Sequence, residues 1–198
     1  MGDERLDYVI WKASTKIANA CVLGDMRGFD AIYHLMSGVS FIESFPPGVE
    51  FGMSPDYPDN IVLTDNLINS ESLIVGSARL RRFLESRDTS FLEYLPVSIR
   101  NHKGRVASKD YFVVNPIVPV DCLDEDASEA EASSIIPGEI EMVQRLVLDP
   151  QRVDPAREIF RIARFPEITV VQRKLAEAID KENFTGIRWL DISEYPEI

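Results

Sequence analysis

The sequence predicts an α+β protein: a single domain over residues 1–198, with a mixed or antiparallel sheet, at least two packed helices and an irregular N-terminal region. Two echoing stretches carry that prediction. Ile168-Thr169-Val170-Val171 is an extended lead-in to an amphipathic helix, in which Leu175 and Ile179 stand at i and i+4. Gly186 reads as the helix stop, and Ile187-Arg188-Trp189-Leu190-Asp191-Ile192 as a strand. Earlier in the chain, Leu73-Ile74-Val75 leads into a helix with Leu80 and Leu84 at the same spacing, and residues 94–99 follow as a strand. A third observation fixes the sheet. Residues 111–118 are apolar almost without interruption, the pattern of a strand buried on both faces.

In chain order, Tyr8-Val9-Ile10-Trp11 is the first strand. The rest of residues 1–60 reads as an irregular wrapped segment, broken by Gly24, Gly28, Gly38, Pro46, Pro47, Gly48, Gly52, Pro55 and Pro58. Gly24 to Gly28 reads as a turn, and Phe29, Ile32, Leu35, Phe41, Phe45 and Phe51 as anchors pinning the segment to a core. Residues 60–192 form that core, starting with a short helix around 63–67. Ser77 is placed to cap the helix over 78–86, whose Arg79, Arg81, Arg82 and Arg87 form a solvated face.

Strand 93–99 turns its Leu95, Val97 and Ile99 to one side, and Pro96 marks an edge or a bulge. The turn Asn101-His102-Lys103-Gly104 joins it to 111–118 as an antiparallel hairpin. An acidic, small-residue insert at 124–139 has the composition of a disordered loop or of a partner-facing patch. Strands at 140–148 and 159–162 follow, and alternation in the second puts Arg161 on a solvated face.

The net charge of −12 argues against nucleic-acid and anionic-membrane partners, both of which demand a cationic surface. The charge is concentrated: residues 110–144 hold nine acids and no base. No apolar run reaches the ~20 residues needed to cross a bilayer. Met1-Gly2-Asp3-Glu4-Arg5 lacks the basic and apolar regions of a secretory signal, so a cytoplasmic location and buried, unpaired Cys21 and Cys122 are expected.

The residues offer no catalytic set, cofactor site or metal site. His34 and His102 each lack a second histidine or cysteine at ligand spacing. Asp124, Asp126 and Ser128 open like a calcium loop, but Glu129 and Ile135 stand where glycine and the bidentate carboxylate belong. No nucleophile elbow occurs, and Cys122 has no local histidine partner.

The order of motifs carries more than any one of them. A helix precedes Phe91-Leu92-Glu93-Tyr94-Leu95-Pro96-Val97. Asp110-Tyr111-Phe112-Val113-Val114-Asn115 then runs into Val120-Asp121-Cys122-Leu123-Asp124 with Ser128 shortly after, and Ile159-Phe160-Arg161 precedes the run from Val170 to Ile179 and Thr185-Gly186-Ile187-Arg188-Trp189. Over residues 60–192 this succession resembles the bacterial immunity protein 11 family of polymorphic toxin systems. The resemblance implies a non-enzymatic cytoplasmic protein, encoded beside a secreted toxin, that neutralises it by occlusion. No family site residues carry over. The expected partner is a cognate toxin with a basic surface, met through Asp121, Asp124, Glu125, Asp126, Glu129 and Glu131. Two alternatives stay open: a hydrolase whose site, around Cys122 or a carboxylate pair, is assembled only by folding, and a self-assembling module of unknown oligomeric state.

Overall fold

A computed structural model describes residues 7–87 and 91–197 of the chain, so the N-terminal residues read for a signal lie outside it. Its elements in order are β1 (Tyr8–Ala13), β2 (Leu23–Arg27), α1 (Ile32–Met36), β3 (Glu50–Met53), β4 (Asn66–Leu67), β5 (Ile74–Ser77) and α2 (Ala78–Glu85). These are followed by β6 (Leu92–Arg100), β7 (Val106–Pro116), β8 (Glu129–Ala132), β9 (Ile140–Arg145), β10 (Ile159–Ile162), β11 (Phe165–Gln172), α3 (Arg173–Lys181) and β12 (Ile187–Asp191). The described residues are mostly sheet, with three α-helices. No described helix is long and apolar enough to cross a membrane.

The two echoing stretches build the same unit twice. β5 and β6 flank β7, both antiparallel to it, with α2 crossing between them. β11 and β12 likewise flank β1, both antiparallel to it, with α3 crossing. Each unit is a parallel pair, joined by a helix and split by a strand from elsewhere in the chain. The first is extended to a mixed six-stranded sheet, β2-β3-β6-β7-β5-β4, in which β3 runs parallel to β6. The second, with β10, is a four-stranded antiparallel sheet, β10-β11-β1-β12.

Alternation along the strands sorts side chains into three cores. One core packs between the sheets, where Val9, Trp11, Ile159 and Val171 meet Ile74 and Val114 around Leu80, Leu84, Leu175, Ala176 and Ile179 of the two helices. On the far face of the six-stranded sheet, Phe51, Val75, Leu95, Ile99 and Val113 are covered by Phe29, Leu35, Phe41 and Phe45. Those anchors do pin the N-terminal segment, and Phe29 stacks edge-on to Phe41 with centroids 5.0 Å apart. On the far face of the four-stranded sheet, Ile10, Phe160, Ile162 and Val170 are covered by Cys122, Leu123, Ile140, Val143 and Leu146.

Several local expectations hold. Ser77 Oγ accepts the Leu80 amide at 3.2 Å, capping α2. Pro96 sits where β3 does not reach, because β3 covers β6 only from Ser98 onward, so the missing amide breaks no ladder on that flank. Both cysteines are buried and free.

Other expectations are corrected. The segment 1–60 contributes β2 and β3 to the larger sheet, and the presumed turn at Gly24 is strand, ended by Gly28 at a φ of 83°. Residues 63–67 form no helix, because Asn66 and Leu67 pair with Gly76 and Val75. Helix α3 is ended by Asn183, at a φ of 55°, and Gly186 serves the next junction instead. Part of the acidic insert is strand β8, paired with β9. The α2 arginines are only partly solvated: Arg79 lies 4.1 Å over the Phe184 ring and Arg81 4.3 Å over Phe112.

Arg161 is the largest departure. It is fully buried, because the helices and the six-stranded sheet cover the face that alternation assigned to solvent. Its Nη1 donates to Pro166 O at 2.7 Å, while Nε and Nη2 have no partner. Burial lowers the guanidinium pKa to about 10. A buried cation without a carboxylate is a net liability, so Arg161→Met is expected to raise stability by about 1 kcal/mol in urea unfolding. A loss of stability would show that the single carbonyl bond outweighs the desolvation it accompanies.

Candidate partner-binding face

The residues nominated from the sequence gather on the segment that covers the four-stranded sheet. Between Val120 and Leu148 the chain lays Cys122, Leu123, Ile140, Val143 and Leu146 inward, which leaves the alternate positions outward. All four residues of β8 are exposed, and β8 pairs only with β9. At the hairpin tip, Ser133 Oγ accepts the amides of Ile135 and Ile136, each at 3.2 Å, and Gly138 turns the chain at a φ of 88°.

The six carboxylates are together but not equivalent. Arginines from the following segment claim three of them: Arg152 with Asp121 at 2.5 Å, Arg164 with Glu125 at 2.5 Å, and Arg145 with Glu129 at 3.1 Å. Asp124 Oδ1 accepts the amides of Asp126 and Ala127, a turn closure that occupies the oxygen a calcium ion would use. Glu131 takes only a neutral bond from Gln144, at 3.1 Å. Asp126 forms no ion pair among the described residues. The acidic window is therefore clamped in part by arginines, and among the described residues its Asp110, Asp124, Asp126, Glu131, Glu139 and Glu141 pair with none.

Sequence reasoning missed the apolar side chains among these acids. Ile135 is 81% exposed and Met142 47%, with Ile136 partly exposed beside them. The tip touches α1, where Tyr33 Oη donates to Glu139 Oε1 at 2.7 Å. That bond, which holds the phenol proton, raises the Tyr33 pKa. Past α1, exposed Val39 and Val118 lie close, since the Val118 amide donates to Gly38 O at 3.2 Å. The signal available in the sequence was Ile135-Ile136 immediately before Pro137-Gly138: two β-branched residues beside a turn, with no partner strand for them to face.

Burial raises the Cys122 pKa to about 12, the opposite of an activated thiol. His102 Nε2 lies 3.0 Å from Ser54 O, on the other sheet, and His34 is exposed on α1. A crevice of about 440 Å³ is lined by Asp7, Tyr8, Leu148, Arg173 and Asp191. Its charges bond one another, Arg173 pairing with both Asp7 and Asp191, which raises the Arg173 pKa. No group of three or more His, Cys, Asp or Glu residues placed to hold a metal occurs among the described residues.

The chain matches the sequence pattern of the immunity protein family (Imm11) over residues 18–194. It belongs to the Imm11 immunity protein family. The match takes in the whole β5-α2-β6-β7 unit, β11, α3 and β12 of the other unit without its dividing strand β1, and the whole 120–148 cover, and it extends the resemblance from residue 60 back through α1, β2 and β3. No curated protein matches the chain.

Proposed function

We propose that this Imm11 protein is a cytoplasmic, non-enzymatic, single-domain inhibitor that binds a cognate toxin and neutralises it by occlusion. The observation that carries the reading is the family match over residues 18–194. The chemistry of the exposed face supports it. A net charge of −12 steers a basic partner inward, and buried apolar contacts then hold it.

The six carboxylates divide under this reading. Asp126 and Glu131, free of arginine, set the long-range attraction, while Asp121, Asp124, Glu125 and Glu129 keep the segment in shape. In stopped-flow mixing with the toxin, Asp126→Asn with Glu131→Gln is expected to slow association about 3-fold and flatten its salt dependence. Amides at all six positions are expected to slow it further. Association rates unchanged across a salt series would remove the acidic segment from the encounter.

A further inference from the structure

Resting on that reading, we propose that the β8–β9 hairpin is the docking element, gripping a cationic surface of the toxin through Ile135, Ile136 and Met142, with Tyr33 at its flank. Exposed apolar residues scattered singly need no explanation, but here Ile135 and Ile136 stand at the hairpin tip, Met142 on its second strand and Tyr33 on the helix that the tip touches. Two apolar side chains of the same hairpin, Ile140 and Val143 of β9, are buried instead. Ile135, at 81% exposure, sits on a turn closed by two hydrogen bonds from its own backbone and the next residue's, so it is held out in a fixed place.

The hairpin is anchored from behind. Arg164 donates Nε to Gly138 O at 2.7 Å and Nη1 to Glu125 at 2.5 Å, and the Ile140 amide bonds Arg164 O at 2.8 Å. One arginine thus fixes both the tip and the strand behind it. Such pre-organisation lowers the ordering penalty of association and favours a long-lived complex.

The outer edge of β8 adds a second recognition element, because backbone groups on that side face no other strand. Its Glu129 and Glu131 decide the occupant. In a pair of identical copies joined at this edge, acidic strands would lie against each other, and like charges facing across a ladder repel. A lysine- or arginine-bearing strand or loop has no such conflict. It would also meet Glu139 and Glu141, which are hydrogen-bonded to Tyr33 and to the Ser134 amide but to no cation. The partner chemistry is therefore a basic protein surface with an apolar depression for the two isoleucines.

The probe is the purified toxic domain of the secreted protein encoded beside this chain, measured by surface plasmon resonance. The double variant Ile135→Asp with Ile136→Asp is expected to weaken binding about 100-fold, mainly through faster dissociation. Met142→Asp is expected to weaken it about 10-fold. The control Ile61→Asp alters a residue 59% exposed on another part of the chain and should stay within about 2-fold of wild type. Unchanged thermal unfolding shows that the exposed positions are silent in folding. Wild-type affinity in both hairpin variants would overturn the docking site and leave toxin binding intact. A wild-type chain that fails to bind the toxic domain would overturn the immunity reading itself. A wild-type dimer in sedimentation that the hairpin variants dissolve would overturn the proposal in favour of self-association.

Discussion

Gly186→Ala is expected to be the most damaging single-methyl change in this protein, lowering unfolding free energy by about 4 kcal/mol. A Cβ built on Gly186 would stand 2.2 Å from Asn66 O and 2.6 Å from Thr64 Oγ1, and the glycine holds a φ of +81°. Neither neighbour can yield cheaply. Asn66 takes part in the β4–β5 pairing, and its side-chain Nδ2 donates back to Gly186 O at 3.0 Å. The Ser14 amide donates to the same carbonyl at 2.9 Å. The residue is therefore a point where the six-stranded sheet, the turn before β12 and the end of β1 touch through backbone, with no room for a side chain. The check is the urea midpoint of Gly186→Ala against wild type at constant slope. A shift below about 1 kcal/mol would mean that the junction opens freely.

Asp65→Ala is expected to cost about 3 kcal/mol at the same junction. One carboxylate there serves four donors: Oδ1 accepts from Ser77 Oγ at 2.8 Å, while Oδ2 accepts from Arg79 Nη1, the Thr185 amide and Thr185 Oγ1, each at 2.9 Å. The Asp65 side chain is only 12% exposed, so removing it strands these donors with little water to replace it. The bonds tie the N-cap of α2 to the loop that leaves α3, and through them the two split units to each other. Asp65→Asn keeps the shape and part of the acceptor capacity, and should fall between wild type and alanine. Because Gly186 and Asp65 hold the same joint, the double variant should lose less than the sum of the singles. Additive losses would show two independent attachments.

The halves that meet at this joint were legible long before the joint was. Leu80/Leu84 and Leu175/Ile179 announce their helices by local spacing, and the strands on either side follow from β-branched runs. What local spacing does not encode is which strand divides each pair. β7 and β1 fill equivalent places in the two units, though β7 comes directly after its unit's second strand, β6, while β1 is the first described strand of the chain. Asp65 and Thr185 are 120 residues apart, and each alone looks like a turn residue.

Arg161 misled for a related reason. Alternation tells which side chains share a face, but the six-stranded sheet, packed over that face, decides whether the face is wet. The short segment at 63–67 carries apolar residues at helical spacing but pairs as strand, a tertiary preference overriding a weak local one.

The proposed binding face was half legible. Its acids were visible as a composition anomaly, and the structure keeps them together. Their inequality was invisible, because Arg145, Arg152 and Arg164, which neutralise three of them, lie in the segment that follows the acidic window. The isoleucines at the tip were hidden by the acidic composition around them. Only the pairing of β8 with β9 shows that the turn between them points away from every core.

The central claim is that this Imm11 protein silences a toxin by sitting on it. It is tested most directly by adding the purified chain to the active toxic domain and following toxin activity against the molar ratio. The account predicts a linear fall to zero at one fixed stoichiometry, with the Ile135→Asp, Ile136→Asp variant displaced to far higher ratios. Undiminished toxin activity at a large excess of the wild-type chain would contradict it.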